Sequence, residues 1–337
     1  MEIKKLKLHE NSDEFKAAIG EAANNLGLPE HVVEKDYWVT KVLYNLYAYE
    51  HKQYIIFKGG TSLSKGYKLI NRFSEDIDLA LHPAGIGKGK IHTRESKALY
   101  RVLKNLKDLS FTGEKESQES KEKRYKRVYI FPQNFNYPEN SPIHGKIVLE
   151  INSFSTPIPT ELVEIKSFVS EYLEEIHGVD VLEELELKPF TIEAIKPERA
   201  FCEKLLAVRR ASHKGGEFFE QRIRHVYDLH QLFNSDRIKN WLKNRNEFFE
   251  MLNKCYKDDE LNQKISEEVA TDFDSFEIYS NPEAKIESVK MAYEGLKDIT
   301  FDNLVPKIDE VANSLENINK ILNGFEFKIH VNERSMG

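Results

Sequence analysis

The chain has 337 residues, of which 40% are hydrophobic and 31% are charged. This composition is typical of a folded globular protein and excludes a disordered chain. The formal net charge of -7 argues against a protein that binds nucleic acid through its overall charge, so any contact with RNA has to use a local basic patch.

The compartment can be predicted from the cysteines and from the apolar runs. The two cysteines, Cys202 and Cys255, indicate a reducing compartment without a disulfide framework. No apolar run approaches the length of a transmembrane helix, and residues 1–10 lack the apolar region of a signal peptide. We therefore expect a cytoplasmic protein with no membrane partner.

The first 50 residues have a helical pattern. Ser12 precedes an apolar-periodic run and is predicted to cap a helix that ends near Gly27. Pro29 suits the first turn of a second helix, which we expect to run to about Tyr49.

A strand followed by a glycine pair comes next. Tyr54–Phe57 is a short apolar run that predicts a buried strand, and Gly59-Gly60 should end it. Thr61 or Ser62 can then cap a short helix through Ile70. Backbone N–H groups at such a corner are available to an anion, and glycine lets phosphate approach the backbone closely. The stretch therefore predicts a phosphate-binding corner.

Two aspartates follow on a second predicted strand, Asp76–Leu81. Because side chains alternate along a strand, Asp76 and Asp78 share one face. Neighbouring carboxylates repel each other unless a cation neutralises them, and Mg²⁺ prefers such oxygen ligands together with substrate phosphates. A D-x-D pattern alone can also mark a solvated strand face or another metal enzyme. In the order strand, Gly-Gly, helix, strand, D-x-D, it favours a nucleotide site.

These motifs resemble those of a known family. G-G-T-S-L-S-K at 59–65 and F-S-E-D-I-D-L at 73–79 resemble the AbiEii/AbiGii-type nucleotidyltransferase toxins of the DNA polymerase β-like nucleotidyltransferase superfamily. The resemblance implies an α+β fold, in which a small mixed β-sheet nucleotidyltransferase core is flanked by N-terminal helices and a C-terminal helical bundle. We expect the helices in residues 1–50, the core in 51–192 and the helical domain in 193–337.

Two further features are assigned by the same resemblance. Glu34-Lys35-Asp36 resembles a charged feature that precedes the core in the family, but it could equally be a solvated helix face. On the predicted strand Lys146–Asn152, Glu150 is the candidate for the superfamily's third carboxylate. An exposed glutamate on an antiparallel strand is the alternative.

Two charged residues of the C-terminal half are also candidates. Lys204 lies in the middle of an apolar helical stripe, so it has to reach the surface or point into a polar cleft. Its K-P-E-R-A-F-C-E-K-L context resembles the family's, which implies that it grips the triphosphate. Asp228, in R-H-V-Y-D-L, resembles an aspartate implicated in catalysis, although it could form a salt bridge with Arg224 four residues earlier.

Other segments carry weaker signals. Gly85 to Lys90 predicts a mobile glycine-rich loop that could close on substrate. Lys115–Arg127 is densely charged and is either a solvated edge or a phosphate-contacting arm, with Tyr125 available for base stacking. Residues 236–337 are mostly helical in pattern and could form a lid or a partner-binding platform.

The resemblance implies a Mg²⁺-dependent enzyme of a toxin–antitoxin or abortive-infection system for phage defence. It would transfer a nucleotide from an NTP to RNA, at the 3′ end of tRNA, and so block translation. A cognate antitoxin is also implied. The expected roles are metal binding by Asp76 and Asp78, phosphate binding by Gly59, Gly60, Thr61 and Ser62, pyrophosphate neutralisation by Lys204, and general base by Asp228. Transfer of AMP to a protein, and nucleotide binding without catalysis, are the alternatives.

Overall fold

The computed structural model describes residues 7–48, 55–81, 118–121, 124–139, 141–152, 157–263, 273 and 276–325. The chain forms two compact units. The first comprises Met1–Lys196 with Asp298–Asn303, and the second comprises Pro197–Lys297 with Leu304–Gly337. In the described ranges, no helix combines the length and the apolar character needed to cross a bilayer.

Within the described residues, the first unit is built on one mixed sheet of seven strands: β1 Ile55–Lys58, β2 Asp76–Leu81, β3 Gln118–Lys121, β4 Arg124–Ile130, β5 Lys146–Asn152, β6 Thr160–Ile165 and β7 Phe190–Ile195. Their order across the sheet is β3-β4-β5-β2-β1-β7-β6. β2 is antiparallel to β1 and parallel to β5, so it occupies the middle of the sheet. The expected α+β class and the mixed sheet are confirmed.

Helices cover one face of this sheet. They span Ser12–Leu26, Glu30–Tyr47 and Phe168–His177, with a short helix at Asp180–Glu184. Alternate apolar residues of the strands point toward them and form the main core. Asp76 and Asp78 lie on the opposite face, because Ile77 and Leu79 belong to that core. The alternation predicted from sequence therefore holds.

Some predicted element ends differ from the observed ones. Asn11, not Ser12, caps the first helix, since its side chain accepts hydrogen bonds from the N–H groups of Asp13 and Glu14 at 3.3 and 3.4 Å. Gly27 ends this helix as expected, with a φ of 66°. The charged pattern around residues 160–178 predicts a helix, but residues 160–165 first form β6, because they pair with β7.

The second unit is helical within the residues described, as predicted for the C-terminal part. Its α-helices span Pro197–Lys214, Gly216–Glu220, Ile223–Asn234, Asp236–Leu242, Arg245–Gln263, Glu277–Ser280, Pro282–Glu287, Lys290–Glu294 and Ile308–Leu322. The Pro197–Lys214 helix packs against the Ile223–Asn234 and Arg245–Gln263 helices. Each has an apolar stripe that becomes buried in this contact, which explains why the unit forms its own core.

Candidate active site

The glycine pair forms the tight corner that the sequence predicted. Gly59 has a φ of 80°, in the left-handed region that favours glycine, and the chain becomes helical from this residue. A Cβ at Gly59 would lie 2.9 Å from the Cβ of Asp78 and closer still to its carboxylate. The corner therefore lies directly against Asp78, and no larger residue fits there.

Two side chains line the other side of the corner. A Cβ at Gly60 would lie 2.7 Å from the Ser74 hydroxyl and 2.8 Å from a guanidinium nitrogen of Arg72. Arg72 is buried, and it donates a hydrogen bond to the Phe73 carbonyl at 3.1 Å. This places a fixed positive charge beside the candidate phosphate corner. Sequence reasoning missed Arg72, since one arginine before the motif carries no distinctive pattern.

The hydroxyls of Thr61 and Ser62 are used within the protein. Thr61 donates to the carbonyls of Ser74, at 3.2 Å, and Asp76, while Ser62 donates to the Gly59 carbonyl at 3.0 Å. Neither residue caps the following segment, which is a π-helical turn at Ser62–Gly66 and ends before the predicted residue 70. These bonds tie the corner to β2. Any phosphate contact from this segment would come from backbone N–H groups, as at other helix starts.

The carboxylates meet on the open face of the sheet. Asp76 and Asp78 are half-buried. In the parallel β2–β5 pair Asp78 is in register with Glu150, and in the β1–β2 pair it is in register with Lys58. Residues in register share a face, so Lys58 and Glu150 lie on either side of Asp78. The described residues contain no group of three His, Cys, Asp or Glu side chains that could hold a metal ion.

Lys204 and Asp228 come together in the second unit. The Lys204 ammonium donates to the Asp228 carboxylate at 2.6 Å, and both side chains are buried, with relative exposures of 8% and 0%. Asp228 is therefore paired with Lys204, a partner that its helical spacing to Arg224 did not predict. Lys204 does not extend along the surface into solvent. Two residues that the sequence singled out separately thus form one ion pair.

His225 completes this cluster. Its Nδ1 lies 3.4 Å from the Lys204 ammonium and 3.9 Å from the Asp228 carboxylate. Burial, followed by the positive charge of Lys204, lowers the pKa of His225 to about 3. The imidazole is therefore neutral at physiological pH, and it adds a polar group but no charge.

A family model gives the comparison that decides the identity. The model of the nucleotidyl transferase AbiEii toxin of the type IV toxin–antitoxin system matches residues 41–313, which is most of the chain. The chain belongs to the AbiEii nucleotidyl transferase toxin family. This confirms the resemblance seen in the two motifs. No curated protein matched the sequence in a separate comparison.

Membership in the AbiEii family fixes the class of the reaction. The protein is a nucleotidyltransferase toxin, with a nucleotide as substrate and an antitoxin as partner. The glycine corner, Asp76 and Asp78 lie in the first unit, and Lys204 and Asp228 lie in the second. The glycine-rich loop at 85–90 and the side chains of 115–127, including Tyr125, lie outside what the structure describes, so their roles stay predictions.

Proposed function

We propose that this AbiEii-family protein transfers a nucleoside monophosphate from an NTP to the 3′ end of tRNA, in a Mg²⁺-dependent reaction that blocks translation. The contact of Gly59 with Asp78 carries this proposal, since it joins a phosphate-binding corner to a metal-binding carboxylate. An acceptor hydroxyl would attack the α-phosphorus, and the bond from that phosphorus to the bridging oxygen would break. Pyrophosphate would leave.

The donors of the first unit fit a magnesium ion bound together with substrate. Mg²⁺ is commonly held by one or two carboxylates plus substrate phosphates, and Asp76 and Asp78 supply such a pair on one sheet face. Glu150, in register with Asp78, stays a proposed further ligand that would join the aspartate pair only with metal and substrate bound, since the three carboxylates do not form a metal-binding group by themselves. The ion, when bound, would neutralise negative charge on the phosphates. The N–H groups of Gly59, Gly60 and Thr61 would hold the β- and γ-phosphates, with Arg72 beside them, whereas the Ser62 N–H already donates to the Gly59 carbonyl.

The buried pair of the second unit has two proposed roles. Asp228 would accept the proton of the attacking hydroxyl, and Lys204 would neutralise the departing pyrophosphate. A carboxylate that is paired with an ammonium group is a weaker base than one that is not. The proposal therefore requires Lys204 to exchange Asp228 for phosphate oxygens during the reaction.

The biological setting is part of the same proposal. A toxin that modifies tRNA would arrest growth, and its cognate antitoxin would keep it inactive until phage infection. The basic part of the 115–127 segment is the proposed RNA contact, because the net charge of -7 leaves RNA binding to a local patch.

A transfer assay tests the acceptor. Purified protein is incubated with each α-labelled NTP, Mg²⁺, and either total tRNA or total protein, with Asp78→Ala as the negative control. We expect the label on tRNA, and we expect its loss in the variant. Label on a polypeptide would instead identify a protein-modifying enzyme. Tight NTP binding without transfer to either acceptor would contradict the proposed catalysis.

A further inference from the structure

Three consecutive charged residues of the Glu30–Tyr47 helix are buried: Glu34, Lys35 and Asp36 are exposed by 0%, 0% and 4%. The reading of this segment as a solvated helix face is therefore wrong. Successive residues of an α-helix project about 100° apart, so the three side chains leave the helix in different directions. Buried charges are costly unless they are paired or hydrogen-bonded, and each of the three contacts a different segment of the first unit: Glu34 accepts from the N–H and the side-chain amide of Asn134.

Lys35 joins the starts of two strands. Its ammonium contacts the Glu75 carboxylate and donates to the His144 carbonyl at 2.6 Å. The Glu75 carboxylate also accepts from the His144 N–H at 3.3 Å. Glu75 immediately precedes β2, and His144 lies two residues before β5. These three residues, which we call the Lys35 staple, hold the two parallel strands together at their N-terminal ends.

The Lys35 staple stabilises the β2–β5 register, which places Asp78 beside Glu150. The β2–β5 ladder pairs Asp76 with Val148 and Asp78 with Glu150. A shift of one strand by one residue would turn its side chains to the other face, so that apolar Leu149 would replace Glu150 beside Asp78. A buried, charge-assisted contact at the start of the ladder is therefore well placed to exclude this shift.

Asp36 holds a second segment of the candidate site. Its carboxylate accepts from the Lys65 ammonium at 2.5 Å and from the Phe168 N–H at 2.8 Å, and Lys65 also donates to the Lys166 carbonyl at 2.8 Å. Lys65 is the last residue of the G-G-T-S-L-S-K motif. Asp36 thereby holds the end of the segment whose beginning is the glycine corner at Gly59.

We propose that Lys35 and Asp36 are positioning residues of the nucleotidyl-transfer site. Lys35 sets the strand register that brings Asp78 beside Glu150, and Asp36 fixes the segment that follows the glycine corner. Neither residue needs to touch substrate. The inference rests on the proposed metal role of Asp76 and Asp78, and it assigns the Glu30–Tyr47 helix a part in the chemistry of the sheet.

Hydrogen exchange tests the staple without any substrate. Glu75→Ala removes the carboxylate that contacts the Lys35 ammonium, and the Glu75 side chain is 26% exposed. The double variant Lys35→Met/Glu75→Ala also removes this ammonium, which would otherwise stay buried without the carboxylate. We expect amide exchange in peptides covering β2 and β5 to become at least about tenfold faster in both variants. Glu75→Gln keeps an acceptor oxygen and should restore most of the protection.

The control is an exposed pair of the same chemistry. Lys188 and Glu183 form a contact of 2.8 Å with exposures of 56% and 55%, so Lys188→Met/Glu183→Ala should leave exchange unchanged. Should Glu75→Ala fail to fold because of the unpaired Lys35, the double variant still gives the measurement. Exchange in β2 and β5 that equals that of this control would overturn the inference, whether or not the protein transfers nucleotides.

Kinetics separate positioning from general stability. In the folded double variant we expect the metal concentration for half-maximal transfer to rise about tenfold, as when partners of metal ligands are removed, while the KM for the RNA acceptor stays unchanged. A rise in the acceptor KM with an unchanged metal dependence would contradict the proposal. Absence of transfer by the wild-type protein would refute the proposed function alone, because the exchange result stands independently.

Discussion

The buried ion pair between Lys204 and Asp228 allows a prediction with a definite magnitude. Lys204→Met leaves Asp228, which is fully buried, without its ammonium partner. Breaking a buried pair in this way costs about 3–5 kcal/mol of unfolding free energy. Asp228→Leu should cost less, because the Lys204 side chain is 8% exposed and can shift its ammonium toward water. Lys204→Met/Asp228→Leu should cost about 1 kcal/mol or less, since no charge remains buried.

The assay can follow the second unit by itself. The chain has two tryptophans, and Trp241 lies in the second unit while Trp38 lies in the first. In a Trp38→Phe background, denaturant unfolding followed by tryptophan fluorescence reports on Trp241. The centroid of the Trp241 ring lies 5.4 Å from that of the Phe248 ring. The double variant should fold and yet transfer no nucleotide. Costs below about 1 kcal/mol for both single variants would refute the buried pairing.

Three further predictions concern the glycine corner, the histidine and the toxicity. Gly59→Ala and Gly178→Ala both place a Cβ at a φ near 80°, so each variant should lose about 1–3 kcal/mol of stability. Only the Cβ at position 59 meets Asp78, so only Gly59→Ala should abolish transfer. Equal transfer activities of the two variants would contradict the role of the glycine corner. The pKa of His225 is about 3 in the folded state, below its value of about 6.5 in the unfolded state. As the pH falls, the unfolded state therefore takes up a proton first, and the wild-type protein loses stability below about pH 6.5. His225→Gln should therefore gain up to about 2 kcal/mol relative to wild type between about pH 7 and pH 5 in denaturant titrations, whereas a pH-independent difference would show that the imidazole is not held neutral. Expression of the protein should arrest growth, and Asp78→Ala at equal protein level should relieve the arrest; toxicity that persists in this variant would remove the catalytic explanation.

The sequence predicts the centre of the site well, because the relevant signals are local. The alternation of Asp76–Leu81 places both aspartates on one face, and the observed β2 has these bounds. The glycine pair signals a corner for a steric reason, which the close approach of Asp78 to Gly59 makes explicit. Local patterns of this kind depend on residues that are a few positions apart, so one sequence is enough to read them.

Contacts between distant residues explain what the sequence could not provide. Lys35 reaches Glu75 and the His144 carbonyl, which lie 40 and 109 positions away, so nothing in the helix itself shows that its charges are buried. Helical spacing points from Asp228 to Arg224, but it gives no sign of the ion pair with Lys204, 24 positions earlier. The register of Glu150 with Asp78 likewise depends on how two separated strands pair.

Transfer from NTPs labelled at different phosphates tests the central claim most directly. If the Gly59 corner and Asp78 direct attack at the α-phosphorus, an α-label should appear in the acceptor and a γ-label should leave with pyrophosphate. Asp78→Asn, which keeps the size of the side chain but removes its charge, should slow the α-label transfer by at least about 100-fold. Appearance of the γ-label in the acceptor, or an unchanged rate for Asp78→Asn, would contradict the account.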